Sequence, residues 1–278
     1  MTSKTRLWTI GFTAVVSANA NAAIDHYLAW EVVPHVTVNF TVKLSDQFLD
    51  PEFIQVNLDR IVRFSNAANQ DNAGYIHQDN HFDWYRVIAA PNPCPKQVTF
   101  SNKFGVNQSV KLDSKERYLL VPTRKGIGPS PQEIDHYLCY VVIEGVSVAQ
   151  NPLIEDQFLT PAQNMTITFP RYFCNPVEKI HDEVTTPIVN PNDFLVFYEN
   201  GLHPAYGNNI NAKDQFNDTL GWTLPITNAF YLGVPSVKVS ESCIPAVSEW
   251  GLAVMGILVL TAATVVIQRR RAGLETGN

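Results

Sequence analysis

The histidines and a few recurring acids are the residues of this chain that first invite a chemical reading. His77 and His81 stand four apart in "HQDNH", and His26, His81 and His136 recur at intervals of 55 residues. Two imidazoles four apart can share a zinc ion when a helix stacks them on one face and a glutamate between them serves as base. Here Gln78, Asp79 and Asn80 lie between them, and the surrounding sequence does not read as helix. The recurring histidine falls at a strand start and is replaced by Asp193 in a fourth position. That pattern points to a strand-start residue whose side chain bonds nearby backbone, and no metal ligand is assigned. Nucleophile-elbow, phosphate-loop and EF-hand patterns are missing, so no catalytic or cofactor-binding residue is assigned and the expectation is a protein that is not an enzyme.

The elements that must position these residues form a repeat. Four openings, "DHYLAWEVV" from Asp25, "NHFDWYRVI" from Asn80, "DHYLCYVVI" from Asp135 and "NDFLVFYEN" from Asn192, are each followed by "DQF" or "NKF" at Asp46, Asn102, Asp156 and Asp214. Closings begin at Arg60, Arg117, Arg171 and Phe230, and the spacing of His26, His81, His136 and Asp193 gives steps of 55, 55 and 57 residues. Three landmarks in constant order define four tandem units of about 55 residues. "VTVNFTVKL" and "MTITF" alternate with period two, and Pro, Asn and Asp punctuate the chain. The body is therefore all-β, its units expected to share cores in sandwich- or barrel-like arrangements. The Gly- and Pro-rich joint Thr123–Glu133 suggests two pairs of units, 23–128 and 129–243. The aspartates of "DQF" suit turns, and Phe48, Phe104, Phe158 and Phe216 read as core anchors.

Comparing units within the one chain also reads the cysteines. Cys139 on the third opening and Cys174 on the third closing occur together in one unit and are both absent from the other three. The corresponding pairs are taken as Ala29 with Arg63, Trp84 with Leu120, and Val196 with Gly233. Joint presence and joint absence imply a disulfide, which an extracytoplasmic setting permits. Cys94 and Cys243 are candidates for a second pair, but four cysteines allow three connectivities and sequence alone does not choose.

Both ends carry addresses. Lys4 and Arg6 precede the apolar run Leu7–Val16 and the small residues Ala20 and Ala22, the order of a signal peptide over 1–22. Near the other end, Trp250 to Ile267 is an uncharged run of 18 residues, long enough for one transmembrane helix, and Arg269, Arg270 and Arg271 follow it as a cytoplasmic anchor. The expected layout is a single inner-membrane pass with the body outside, a segment 244–271 holding the span, and a cytoplasmic tail 272–278. The body is acidic, with 15 basic against 24 acidic residues between Ala23 and Cys243. That balance argues against binding nucleic acid through its phosphates.

"IPAVSEWG", followed by the apolar run and the arginines, resembles the IPTL-CTERM sorting signal of bacterial envelope proteins. Ile244, Pro245, Trp250 and Gly251 match that motif, whereas Ala246 and Val247 depart from it. The resemblance implies an exosortase-type sorting enzyme as partner, cleavage near the motif and delivery to the cell surface. The body, from Ala23 to Lys238, is similar to an uncharacterised bacterial domain with H-[FL]-x-C-Y, D-Q-F and Cys-x-Pro landmarks, and that similarity brings no assigned chemistry.

The expectation that follows is an envelope or surface protein with a structural or interaction role and no bound cofactor. A carbohydrate-binding module, suggested by Trp30, Trp84 and Trp222, is the alternative, with a glycan or a protein as partner; an envelope-polymer hydrolase ranks third. Landmarks that all point inward favour structure, an exposed aromatic row favours glycan binding, and a cleft with paired carboxylates favours hydrolysis.

Overall fold

A computed structural model describes residues 24–49, 53–88 and 96–243, with the side chains of 114–116 and 243 left undescribed. Every regular element in these residues is a strand. Unit one contributes β1 (His26–Asp46) and β2 (Ile54–Gln70); unit two β3 (His81–Ile88), β4 (Lys96–Asn102) and β5 (Gly105–Lys125). Unit three contributes β6 (His136–Gly145), β7 (Leu153–Asp156), β8 (Gln163–Asn164), β9 (Ile167–His181) and β10 (Val184–Thr186); unit four β11 (Phe194–Asn200), β12 (Asn209–Lys213) and β13 (Trp222–Cys243).

Each unit's opening and closing strands pair with one another and with the neighbouring units. The hydrogen-bonded order β1-β13-β11-β9-β6-β5-β3-β2 returns to β1, so eight antiparallel strands close one barrel with no free edge among them. The joint Thr123–Glu133 does not separate two sheets: β5 before it and β6 after it share a ladder with Leu120 opposite Tyr137. The pairs expected at 23–128 and 129–243 are thus halves of one wall. A pair of units cannot satisfy its outer strands alone, whereas four units in a ring leave none unpaired.

Successive residues on these strands face opposite ways, and both faces are buried. The inward set includes Tyr27, Phe82, Trp84, Tyr137, Tyr172 and Phe197. Trp84 and Phe197 meet edge to face with ring centroids 4.6 Å apart, although their strands are on opposite walls, so the barrel is filled by side chains. Space there is short enough that a Cβ on Gly233 would come 2.5 Å from the Phe197 ring.

The expected bridge is present: Cys139 and Cys174 are directly opposite across β6 and β9 and form a disulfide inside the barrel. Two of the three expected counterparts are corrected by the pleat. Trp84 does face Leu120, but Ala29 is opposite Ser65 rather than Arg63, and Phe197 rather than Val196 is opposite Gly233. A one-residue slip would turn every side chain of β11 to the wrong face, so Phe194, not Asp193, occupies the place of His26. Arg63 lies two residues nearer the arm, with Trp84, Tyr118, Tyr172 and Tyr231 within 4.9–5.5 Å of its guanidinium carbon.

Outside the wall, each unit extends an arm whose tip carries the "DQF" or "NKF" landmark. These arms cover the outward set, which includes Leu28, Trp30, Phe64, Tyr85, Leu138 and Phe173. Each arm reaches the closing strand two units away: Asp46 pairs with Val177, Asn102 with Ser236, Asp156 with Ala68, and Ala212 with Lys125. Among the described residues no helix is long and apolar enough to cross a membrane. The signal segment 1–22, Cys94, the sorting motif, the span to Ile267, Arg269–Arg271 and the tail 272–278 lie outside the described residues, and so, with the side chain of Cys243, does the possible second cysteine pair.

Candidate functional site

The arm tips repeat one device. In the first, Asp46 uses Oδ1 to accept from the amides of Phe48 and Leu49, closing the turn, and Oδ2 to accept from Tyr140 Oη at 2.9 Å and Asn175 Nδ2 at 3.0 Å. The third does the same in reverse: Asp156 Oδ2 accepts from Trp30 Nε1 at 2.7 Å and Asn66 Nδ2 at 3.0 Å. Units one and three therefore lock each other. Asn102 locks unit two onto unit four, its Nδ2 reaching Tyr198 Oη at 2.9 Å and Ser236 Oγ at 3.0 Å. The turn-forming role expected of this landmark is half of its work; the other oxygen or amide ties two distant units.

The strand-start role belongs to the residue before the histidine. Asp25 accepts from the amides of Ile76 and His77, Asn80 bonds both the carbonyl and the amide of Gln132, and Asp135 accepts from the amides of Val189 and Asn190. Each such side chain holds the turn that leads into a later unit. The histidines are instead packed rings. Burial lowers His26 to about 4 and both His81 and His136 to about 3, so they are neutral at ordinary pH. Among the described residues no group of three or more metal-ligating side chains converges.

The fourth tip departs from the pattern. Asp214 Oδ1 closes its turn through Phe216 and Asn217, and Oδ2 accepts from the Tyr85 hydroxyl. In units one and three an asparagine amide, Asn66 or Asn175, completes the lock, but the corresponding residue of unit two is Val121. Nearby is Asp83, fully buried, on the outward position that the other units fill with Leu28, Leu138 and Val196. Neither Asp83 carboxyl oxygen has a hydrogen-bond partner of good geometry: the neighbouring Thr123 hydroxyl accepts from the Asp83 amide and donates to the Val121 carbonyl. Burial holds Asp83 well above the usual carboxylate range, and the adjacent Asp214 carboxylate raises it further. Burial raises Asp214 as well, against the opposing bond from Tyr85. Two adjacent buried carboxyls of this kind hold their protons to higher pH than solvated ones do.

A cleft of about 610 Å³ opens beside this tip, lined by Phe40, Thr41, Lys179, His181, Gln215 and Phe216 among others. Lys179 is 1% exposed, and its ammonium lies 5.5 Å from the Phe216 ring centroid. Burial lowers its pKa to about 8, with Asp214 acting in the opposite direction, so it is mostly protonated at pH 7. Gln215 is fixed by His136, whose Nε2 is 2.7 Å from the Gln215 amide nitrogen; the neutral imidazole accepts there. The paired carboxyls are behind this wall and do not line the cleft. A hydrolytic acid and base would both need access to substrate, an arrangement different from this one.

Trp30 and Trp84 are fully buried, and Trp222 is partly buried with its indole N–H toward Asp214. None joins an exposed aromatic row. Sequence reasoning missed Asp83, Lys179 and the strand-start acids. Comparison of the four units in the pleat-corrected register identifies the first, since one acid stands among three aliphatics.

Over residues 81–217 the chain is similar to a family described as a repeat of unknown function (DUF7450). That range runs from the histidine that opens unit two to the tip of unit four. No curated protein and no solved structure matches the chain.

Proposed function

We propose that this chain is an exported bacterial envelope protein whose barrel serves a structural or interaction role rather than catalysis. The observation that supports it most is the use of the repeat landmarks: Asp46, Asn102 and Asp156 are consumed in joining units, leaving none of them facing a substrate. A ring of four units locked crosswise suits a rigid body outside the cytoplasm, where a disulfide such as Cys139–Cys174 persists. In this reading residues 1–22 direct export, Trp250 to Ile267 holds the chain in the inner membrane, and Arg269–Arg271 stay inside. An exosortase-type enzyme acts near Ile244 and releases the barrel to the surface.

Fractionation of cells with mass spectrometry of both chain ends tests this reading. A mature start near Ala23 and an end near Ile244 are expected; an intact Asn278 in the membrane fraction identifies a permanent anchor instead. Full-length protein soluble in the cytoplasm, with neither end processed, overturns the proposal.

A further inference from the structure

We infer that the cleft beside the fourth arm tip binds an acidic saccharide, Lys179 pairing with the carboxylate of a uronic-acid unit. The inference rests on the interaction role proposed above and gives it a ligand class.

The first ground is the missing acceptor of Lys179. Lysines stand at the same place on three closing strands, five residues beyond the inward-facing Leu120, Cys174 and Gly233: Lys125, Lys179 and Lys238. Each lies over a tip phenylalanine, Phe158, Phe216 and Phe48 in turn. Lys238 also donates to Gln47 and, at 2.6 Å, to Glu241. Lys125 is partly open to solvent. Lys179 alone of the three is buried with no hydrogen-bond acceptor or ion-pair partner among the described residues. An ammonium that meets no protein acceptor and opens only to the cleft is one that a ligand carboxylate entering there would partner.

The walls decide the rest of the ligand. Phe40 stacks on Phe216 with centroids 4.7 Å apart, and His181 stands edge-on to Phe216 at 4.8 Å, so the parts of these rings that line the cleft give apolar contact for the C–H groups of a sugar. Asn39, Thr41 and Gln215 bring amide and hydroxyl groups suited to sugar hydroxyls. Asp182 at the rim adds an acceptor for the same groups. A volume of about 610 Å³ falls in the range of small-ligand sites. An acidic peptide suits the site less well, because its successive carboxylates would meet one ammonium and the rim carboxylate of Asp182.

The test is isothermal titration calorimetry of the full-length chain in detergent with trigalacturonate, neutral galactotriose and hexaglutamate. Trigalacturonate is expected to bind at least about tenfold more tightly than either control, a difference of about 1.4 kcal/mol. Lys179→Met should reduce that binding by at least about tenfold, while Lys125→Met leaves it unchanged. Asn39→Trp, at an exposed rim position, should block the cleft without touching the core and serves if Lys179→Met folds poorly. No binding of trigalacturonate, equal binding of galactotriose or hexaglutamate, or unchanged binding after Asn39→Trp overturns the inference. Because the measurement uses purified protein, it fails or succeeds independently of where the chain resides in the cell.

Discussion

Asp83 is buried against Asp214 at a place where the three sister units set Leu28, Leu138 and Val196. Both carboxyls are held above the usual range by burial, and the Asp214 carboxylate further depresses the ionisation of Asp83. In the unfolded chain each has an ordinary pKa near 4, roughly. Below that value both states are protonated and the pair adds no penalty. As pH rises the unfolded acids ionise first, so the pair removes stability progressively up to its folded pKa values.

We therefore expect Asp83→Leu to stabilise the barrel. Replacing a buried carboxyl that accepts no hydrogen bond by the residue used in two sister units should add about 1–3 kcal/mol at pH 7, roughly 2–12 °C in Tm. The gain should shrink toward pH 4, roughly, where the wild-type pair is already protonated in both states. Thermal melts from acid to neutral pH measure this, and an equal or lower Tm for the variant at pH 7 contradicts it.

The crosswise locks predict an unusual cost for an isosteric change. Asp156→Asn retains an oxygen for the Phe158 and Leu159 amides but places an NH2 group against Trp30 Nε1 and Asn66 Nδ2, both donors. Trp30 Nε1 then loses its acceptor, whereas Asn66 can flip its amide so that its unpartnered Oδ1 accepts from the new NH2 group, a net loss of about 1–3 kcal/mol. Asn102→Asp should cost a comparable amount, because Tyr198 Oη and Ser236 Oγ already donate to Gln108 Oε1 and the Val234 carbonyl and must give up those bonds to donate to the new carboxylate. Denaturant titration compares the two, with Trp30 emission expected to shift red on Asp156→Asn alone.

The repeat, its all-β character and the Cys139–Cys174 pair were legible because each rests on local type and spacing. Alternation in "VTVNFTVKL" buries Val38, Val42 and Leu44 between arm and wall and exposes Thr37, Asn39 and Thr41, as the pleat requires. What escaped was register and closure. Ala29 faces Ser65 in a register that runs unbroken to Glu31 and Arg63, and the ladder shifts only beyond them, before Val36, a displacement whose size the spacing of the landmarks does not reveal. The ring itself depends on β1 meeting β13 across the whole chain, a contact that no local pattern specifies. The candidate cleft was hidden for the same reason: Phe40, Lys179 and Phe216 come from three units and meet only when the arms cross.

The disulfide should matter to stability although its surroundings are fully packed. Closing a loop of 35 residues is worth about 4 kcal/mol in the chain-entropy account. Cys139→Ala with Cys174→Ser copies the Ala29 and Ser65 pair of unit one, so the replacement side chains are ones that this barrel already holds at that level. We expect the double variant to fold, to lose up to about 4 kcal/mol, and to become insensitive to reductant in thermal melts. A wild-type Tm that does not fall on reduction under denaturing pre-treatment contradicts the prediction.

The buried histidines set an opposite dependence on acid. Held down to about 4 for His26 and about 3 for His81 and His136, they stay neutral in the folded state while the unfolded chain protonates near 6.5. Their contribution is fully present above that unfolded value and is lost as pH falls from about 6.5 toward 3–4. Each ring can remove up to about 1.4 kcal/mol per pH unit in that window, whereas the Asp83–Asp214 pair removes stability in the upward direction. His81→Phe tests the sign, since Phe194 takes the same structural place in unit four. The variant should lose less stability than wild type between pH 6.5 and pH 4, roughly by one ring's share. Urea midpoints measured across that range decide it: parallel curves for the two proteins would mean that His81 titrates alike in the folded and unfolded chains and is not the acid-sensitive group described.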